Sequence, residues 1–221
     1  MDIKQNIQEL KDILPDEVNL IAVSKTKPIE DICEAYEFGI RDFGENKVQE
    51  LSKKVELFPK EDIRWHLIGH LQRNKVKYIV GKVSLIHSLD SIRLLKEIES
   101  RYNKEGKTAE VLIQVNIAKE ESKYGIYEEQ LNSMIDEVEK CKNVKVKGLM
   151  SIIPKGDKEI CKKYFKQMKQ IFDKLKDRSF KNIKMKYLSM GMTGDYVEAI
   201  EEGSNMVRIG QGIFGKRNYK K

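Results

Sequence analysis

Apolar positions along this chain follow helical and strand-like spacings in turn. Over residues 2–13 they recur three or four apart, which predicts an amphipathic helix that ends at Pro15. The apolar run at 20–23 (LIAV) predicts a buried strand. A second helix is predicted to begin at Pro28, a residue suited to a first turn, and to end at Gly39.

The same alternation continues to the end of the chain. Seven further strand-like runs lie at 40–43, 64–68, 83–87, 111–117, 144–150, 185–189 and 206–209. Helical patterns lie between them at 46–57, 72–80, 91–104, 127–140, 157–177 and 194–202.

Eight strands alternating with helices are typical of parallel β-α-β units. Dividing the 221 residues by eight gives about 28 per unit, close to the minimum for a strand, a helix and two short loops. We therefore predict one domain over residues 1–221, an α/β (β/α)8 TIM barrel with an extra N-terminal helix. An open doubly wound sheet remains the alternative, because periodicity does not distinguish it from a closed barrel.

Composition excludes several classes of protein. With 40% hydrophobic and 35% charged residues, the chain has the apolar content of a folded protein rather than a disordered one. Only 14 Gly, 4 Pro and 3 Cys exclude a collagen and a disulfide scaffold. The cysteines match no zinc-binding spacing. The polar N-terminus is not a signal peptide, and no run is long enough to span a membrane, so we expect a cytoplasmic protein.

The net charge of +7 raises the question of an anionic partner. Lysines outnumber arginines, and acidic residues are interleaved with them, which is typical of a solvated surface. We therefore expect no nucleic-acid binding and no membrane association.

Lys25 is the first candidate for chemistry, because it follows strand 20–23 and active sites of β/α barrels lie at the carboxyl ends of the strands. Alternation places Ile21, Val23 and Lys25 on one face. If that face points inward, Lys25 loses hydration and its neutral amine becomes a nucleophile able to form a Schiff base with an aldehyde. The alternative is a surface lysine at a strand end.

The last two predicted strands end in two glycine-bearing segments, SMGMTGD (189–195) and RIGQGIFG (208–215). Loops at this position in β/α barrels frequently bind phosphate through backbone N–H groups, and Ser189 could add a hydroxyl. The alternative is that the glycines only allow tight turns. A phosphate site opposite a nucleophilic lysine fits an aldehyde that bears a phosphate, which describes pyridoxal 5′-phosphate.

Two other side chains have competing interpretations. Arg208 could face the pyridine nitrogen of the cofactor. Because a guanidinium cannot accept a proton, it would keep that nitrogen unprotonated and so weaken the cofactor as an electron sink. The alternative is that Arg208 forms an ion pair at the rim. His66 and His70 are four apart, but such pairs converge on a helix and not along a strand, so no metal site is predicted.

These residues lie in segments that resemble one known family over nearly the whole chain. The segments include AVSKTKP (22–28), FGENKVQE (43–50), WHLIGHLQRNK (65–75), LIQVNIAKEESKYG (112–125) and LSMGMTGDYVEAIEEGSNMVRIGQGIFG (188–215). They are similar to the pyridoxal phosphate homeostasis protein family.

The resemblance implies a barrel like the N-terminal domain of alanine racemase. It implies that Lys25 forms the Schiff base and that Arg208 lies near the ring nitrogen. It assigns the cofactor site to the residues Lys25, Asn46, Ser189, Gly191, Met192, Arg208, Gly210 and Gln211. Ser189, Gly191, Gly210 and Gln211 would hold the phosphate, and Lys27 and Lys123 would take part in cofactor handling. The family commonly has Thr where this chain has Gln211, a change that keeps a backbone contact and loses a hydroxyl contact.

Two functions of different class follow. One is a non-catalytic carrier that holds pyridoxal phosphate, limits the free aldehyde and passes it to PLP-dependent enzymes. The alternative is an alanine-racemase-like amino-acid racemase, which needs a second acid/base group that alanine racemases take from a C-terminal β domain of another subunit. Because the chain stops six residues after Gly215, we expect no such domain, no substantial amino-acid turnover and a monomer.

Overall fold

The computed structural model describes residues 2–154 and 156–216, and every predicted strand is present in it. The strands are β1 (Asn19–Val23), β2 (Asp42–Glu45), β3 (Arg64–Leu67), β4 (Leu85–Leu89), β5 (Ala109–Gln114), β6 (Val144–Met150), β7 (Ile183–Met192) and β8 (Met206–Ile209). All neighbouring pairs are parallel, and β8 pairs with β1 to close the barrel. The prediction of a (β/α)8 barrel is therefore confirmed, and the open sheet is excluded.

Two strands begin later than their apolar runs. The run at 40–43 belongs to a strand that begins at Asp42, because Ile40 is buried against α1 and α2 and not by strand pairing. The run at 83–87 belongs to a strand over Leu85–Leu89. β7 differs more, because it extends to Met192, three residues beyond the predicted end.

The helices are α1 (Ile3–Ile13), α2 (Ile29–Glu37), α3 (Val48–Leu57), α4 (Ile92–Lys104), α5 (Leu131–Glu139), α6 (Lys158–Lys176), α7 (Tyr196–Glu201) and α8 (Gln211–Phe214). The segment predicted as a helix over 72–80 is instead a 3-10 helix, Arg73–Tyr78. Val76 within this helix and Ile79 directly after it are buried and three apart, which matches the three-residue turn of that helix type. A short 3-10 turn, Glu128–Gln130, precedes α5.

The extra N-terminal helix is confirmed. The Asp2 carboxylate accepts a hydrogen bond from the Gln5 backbone N–H and caps α1. Ile3, Ile7 and Leu10 are the buried residues of the helix, and α1 packs against α2 and α8. This packing covers the outside of the barrel beside β1 and β8.

The barrel interior contains an apolar cluster from several strands, formed by Ile21, Leu85, Leu112, Met150 and Met206. Because Ile21 belongs to this interior cluster while Ala22 packs against the outer helices, the odd-numbered face of β1 points inward, as alternation predicted.

No helix within the described residues combines the length and the apolar character needed to cross a membrane. Of the six residues that follow Gly215, positions 217–221 lie outside the described residues.

Candidate functional site

A cavity of about 700 Å³ opens at the carboxyl ends of the strands. Six of the eight predicted site residues line it: Lys25, Asn46, Met192, Arg208, Gly210 and Gln211. Other lining residues include Thr193, Gly194, His70, Gln114, Lys123 and Tyr124. Its volume is in the range of small-molecule sites, and its wall combines an amine, a guanidinium and hydroxyl groups.

Lys25 lies at the turn that follows β1, where it is half-buried and faces the cavity. The next residue, Thr26, has a φ of 66°, a left-handed conformation that is rare for a β-branched residue. The Thr26 backbone N–H donates to Glu50 Oε1 at 2.6 Å, which holds this turn against α3. The direction of the Lys25 side chain is therefore set by a fixed turn.

Lys54, a buried lysine on α3, also holds this turn in place. Lys54 Nζ donates to the Ser24 carbonyl oxygen at 2.8 Å, to Glu45 Oε1 at 2.8 Å and to Glu50 Oε1 at 2.7 Å. The Ser24 hydroxyl also donates to Glu45 Oε1, at 2.6 Å. Residues 24 and 26, which flank Lys25, are therefore both held by α3.

Burial raises the pKa of Glu45 above its ordinary value, against the opposing effect of the Lys54 ammonium. Sequence reasoning missed Lys54 and Glu45. The signal was present, because Lys54 follows Leu51 by three residues on the buried face of α3, where a solvated lysine is not expected.

The loops after β7 and β8 meet at the cavity, as predicted. The Gly212 backbone N–H donates to Thr193 Oγ1 at 3.4 Å and joins the two loops. The Thr193 hydroxyl therefore lies in the cavity wall, beside Gly210 and Gln211. Sequence reasoning did not single out Thr193, although it belongs to the same glycine-bearing segment.

Ser189 is not among the residues that line the cavity, and its predicted contact with phosphate stays a prediction. Since β7 continues to Met192, Ser189 lies within the strand and is fully buried. Its hydroxyl accepts a hydrogen bond from an Arg208 terminal nitrogen at 2.6 Å and lies 3.1 Å from His87 Nδ1.

Gly191 also lies behind the cavity wall. Its φ is 92°, and a Cβ at this position would lie 2.7 Å from the Ala199 Cβ. The glycine is therefore needed for the approach of β7 to α7, and its predicted phosphate contact stays a prediction.

Arg208 is buried yet reaches the cavity. One terminal nitrogen donates to Ser189 Oγ, and the other donates to the Ser151 carbonyl oxygen at 2.9 Å. Burial lowers the pKa of Arg208 to about 10, so the guanidinium remains cationic at neutral pH. The alternative interpretation of Arg208, an ion pair at the rim, is not the arrangement found, because the hydrogen-bond partners of Arg208 are a hydroxyl and a carbonyl.

The mouth of the cavity is formed by His70 and Tyr124, whose rings stack with centroids 3.7 Å apart. His70 Nδ1 lies 2.7 Å from Asp90 Oδ2. Lys123 also lines the mouth and pairs with Glu120 at 2.8 Å. Lys27, by contrast, donates to the Phe214 carbonyl oxygen and does not line the cavity.

The chain was compared with known protein families. Residues 1–218 match the family described as "Alanine racemase, N-terminal domain". A pyridoxal phosphate homeostasis protein of Aquifex aeolicus is 45% identical over 201 residues, which cover 90% of this chain and 87% of that protein. One from Escherichia coli K12 is 37% identical and matches over 100% of this chain and 99% of its own.

Solved structures are similar over the same extent. PipY of Synechococcus elongatus with PLP bound has a TM-score of 0.89 and 33% identity, covering 97% of this chain and 100% of PipY. An alanine racemase of Clostridium difficile has a TM-score of 0.77 at 16% identity and covers 99% of this chain and 56% of the racemase, a likeness of fold alone.

Proposed function

The chain belongs to the pyridoxal phosphate homeostasis protein family, and we propose that it binds pyridoxal 5′-phosphate in the cavity at the carboxyl end of its barrel. The observation that supports this most strongly is the meeting of Lys25 and Arg208 with the loops after β7 and β8 in one cavity. PLP also occupies the similar structure of PipY. In this proposal residues 1–221 act as a single PLP-binding domain.

The donor groups fit this cofactor chemically. Lys25 supplies the primary amine that an aldehyde requires. Its nitrogen forms a C=N bond with the aldehyde carbon, and the carbonyl oxygen leaves as water. The turn over residues 24–26 orients the amine for this step, because both flanking residues are held by α3.

The opposite side of the cavity suits a phosphate. Thr193 supplies a hydroxyl, and Gly210 and Gln211 bring backbone close to the cavity. Thr193 thus takes the hydroxyl contact that the sequence assigned to Ser189. Asn46 and Met192 complete the wall.

Arg208 is suited to face the pyridine nitrogen. A guanidinium donates hydrogen bonds and cannot accept a proton, so it favours the unprotonated ring. PLP supplies an electron sink when it is bound, and an unprotonated ring weakens that sink. We therefore propose that the protein holds PLP for intracellular homeostasis, with PLP-dependent enzymes as recipients, and does not turn over amino acids substantially.

An absorption spectrum and a reductive trap test the binding proposal. Protein incubated with PLP is expected to show the absorption band of a Schiff base. Reduction with borohydride should then attach the cofactor permanently to the peptide that contains Lys25. Lys25→Ala should abolish the adduct, whereas Lys27→Ala, a neighbouring lysine outside the cavity wall, should retain it. An undiminished adduct in Lys25→Ala would contradict the assignment.

A second assay addresses catalysis. PLP-loaded protein is expected to form no sustained D-alanine from L-alanine. His70 and Tyr124 are two groups at the mouth that could transfer a proton, but they stack on each other, and His70 is bonded to Asp90. Sustained racemisation that Tyr124→Phe and Lys25→Ala each abolish would overturn the non-catalytic proposal.

A further inference from the structure

A line of buried polar side chains crosses the barrel interior from its floor to Arg208. Asp42 Oδ1 lies 2.9 Å from His66 Nε2, and His66 Nδ1 lies 3.0 Å from His87 Nε2. His87 Nδ1 lies 3.1 Å from Ser189 Oγ, which accepts from Arg208 at 2.6 Å. The four residues from His66 to Arg208 in this line are each less than 5% exposed.

The two ends of the line each hydrogen-bond in one direction only. Arg208 can only donate, so the Ser189 oxygen accepts from it, and the Ser189 hydroxyl proton is available to donate onward. At the other end, Arg64 donates two hydrogen bonds to the Asp42 carboxylate, at 2.7 and 2.5 Å. Although burial opposes it, hydrogen bonds from His66 and Arg64 hold the pKa of Asp42 below its ordinary value, so Asp42 is ionised and only accepts.

One proton arrangement satisfies these constraints and also uses the Ser189 hydroxyl proton in the line. Ser189 donates to His87 Nδ1, His87 donates from Nε2 to His66 Nδ1, and His66 donates from Nε2 to Asp42. In this arrangement both imidazoles are neutral and protonated on Nε2. Burial is the largest cause that lowers the pKa of His87 well below its ordinary value, which is consistent with a neutral His87 ring.

The competing arrangement is chemically distinct. A cationic His66 would donate from Nδ1 to His87 and reverse that link. His87 would then donate from Nδ1 to Ser189, whose oxygen would accept from both His87 and Arg208. The Ser189 hydroxyl proton would then donate to no other member of the line.

We propose that His66 and His87 are positioning residues for Arg208: through Ser189 they fix which guanidinium N–H groups are committed inside the barrel and which remain to face the cofactor ring. This inference rests on the proposed binding of PLP. Through Ser189, the ring environment of the cofactor depends on side chains as far away as the floor of the barrel.

The first test needs no cofactor. The chain has three histidines, so the long-range ¹H–¹⁵N spectrum of the unloaded protein at pH 7 is assigned by single His→Gln variants. The expected result is a neutral ring protonated on Nε2 for both His66 and His87. A proton on Nδ1 of either ring, or an imidazolium at His66, overturns the proposal.

The second test uses PLP-loaded protein. His87→Leu breaks the line and is expected to weaken PLP affinity about tenfold and to shift the absorption maximum of the bound cofactor. Ser88→Ala is the matched control, because Ser88 is the next residue on β4, is equally buried, and has a hydroxyl without a partner in the described structure. It should bind PLP within about twofold of the parent protein and leave the spectrum unchanged.

The outcomes separate this inference from the proposed function. If the parent protein binds PLP on Lys25 but His87→Leu changes neither affinity nor spectrum, the positioning role is refuted and the proposed function stands. If the parent protein binds no PLP, the proposed function fails, and the imidazole spectrum still decides the proton arrangement. Should His87→Leu not fold, Ser189→Ala removes the central link, and an unchanged spectrum in that variant refutes the role.

Discussion

The Lys54 ammonium donates a hydrogen bond to the backbone carbonyl of Ser24 at 2.8 Å, one residue before Lys25. The same ammonium pairs with Glu45 and Glu50, and Glu50 in turn accepts from the Thr26 N–H. One helix therefore fixes the backbone on both sides of the proposed reactive lysine. The left-handed conformation of Thr26 depends on this support.

Replacing Lys54 by Met should destabilise the protein strongly. The Glu45 side chain is fully buried, and loss of the ammonium would leave its charge unpaired. Breaking a buried pair in this way typically costs about 3–5 kcal/mol of unfolding free energy. Urea denaturation of the unloaded protein measures the loss.

Lys53→Met is the matched control, because Lys53 is the preceding residue on α3 and is exposed. It should change the free energy of unfolding by no more than about 0.5 kcal/mol. Equal losses in the two variants would show that the buried network contributes nothing particular to stability.

Replacing Thr193 by Val should discriminate between cofactor forms. If the Thr193 hydroxyl contacts the phosphate, Thr193→Val weakens PLP binding about tenfold and leaves the affinity for pyridoxal, which lacks the phosphate, unchanged. Ser189→Ala, which acts through Arg208, should weaken both ligands alike. Equilibrium dialysis with each ligand provides the comparison, and a parallel loss of both ligands in Thr193→Val would exclude the phosphate contact.

The fold was predictable because its signals are local. Strand-like runs and helical spacings identify each element, and the alternation of Ile21 and Lys25 correctly places the lysine inside the barrel mouth. The segment at 72–80 was predicted as a helix, but its apolar spacing did not distinguish an α-helix from the tighter 3-10 helix found over Arg73–Tyr78.

The site was predictable only in part, because strand ends and cross-barrel contacts depend on tertiary structure. Because β7 continues to Met192, Ser189 lies three residues before the end of the strand, and Thr193, the first residue after it, lines the cavity. His66 and His87 are 21 residues apart and meet only because β3 and β4 are neighbours in the barrel. Nothing in their spacing along the chain indicates that contact.

Gly148→Ala should prevent folding or destabilise the protein by more than about 4 kcal/mol. Gly148 has a φ of 148°, and an added Cβ would lie 1.8 Å from the Tyr187 carbonyl oxygen, where the register between β6 and β7 shifts. Gly106→Ala is the control, because Gly106 also has a positive φ, 62°, but nothing lies within 4 Å of its added Cβ. That variant should lose about 1–2 kcal/mol in thermal or urea unfolding. Similar losses would mean that backbone conformation, not the contact, dominates.

The buried His87 should make stability fall as the solution becomes acidic. Burial lowers the pKa of His87 in the folded protein well below 6.5, the ordinary value that the unfolded chain regains. Above that value the ring is neutral in both states and contributes no pH dependence. As the pH falls below 6.5, His87 binds a proton in the unfolded state but not in the folded state. The free energy of unfolding therefore decreases by up to about 1.4 kcal/mol per pH unit.

The comparison of the parent protein with His87→Gln isolates this contribution. Between pH 7 and pH 5.5 the parent should lose about 1.3 kcal/mol more unfolding free energy than His87→Gln, because the glutamine does not titrate. Asp42 adds to the loss only at lower pH, since its pKa is depressed from an ordinary value of 3.8. His70→Gln, at the mouth of the cavity, serves as the control and should keep the full dependence that His87 contributes. Parallel pH profiles for the parent and His87→Gln would show that the folded protein accommodates an imidazolium at His87, contrary to the neutral ring that the cross-barrel line requires.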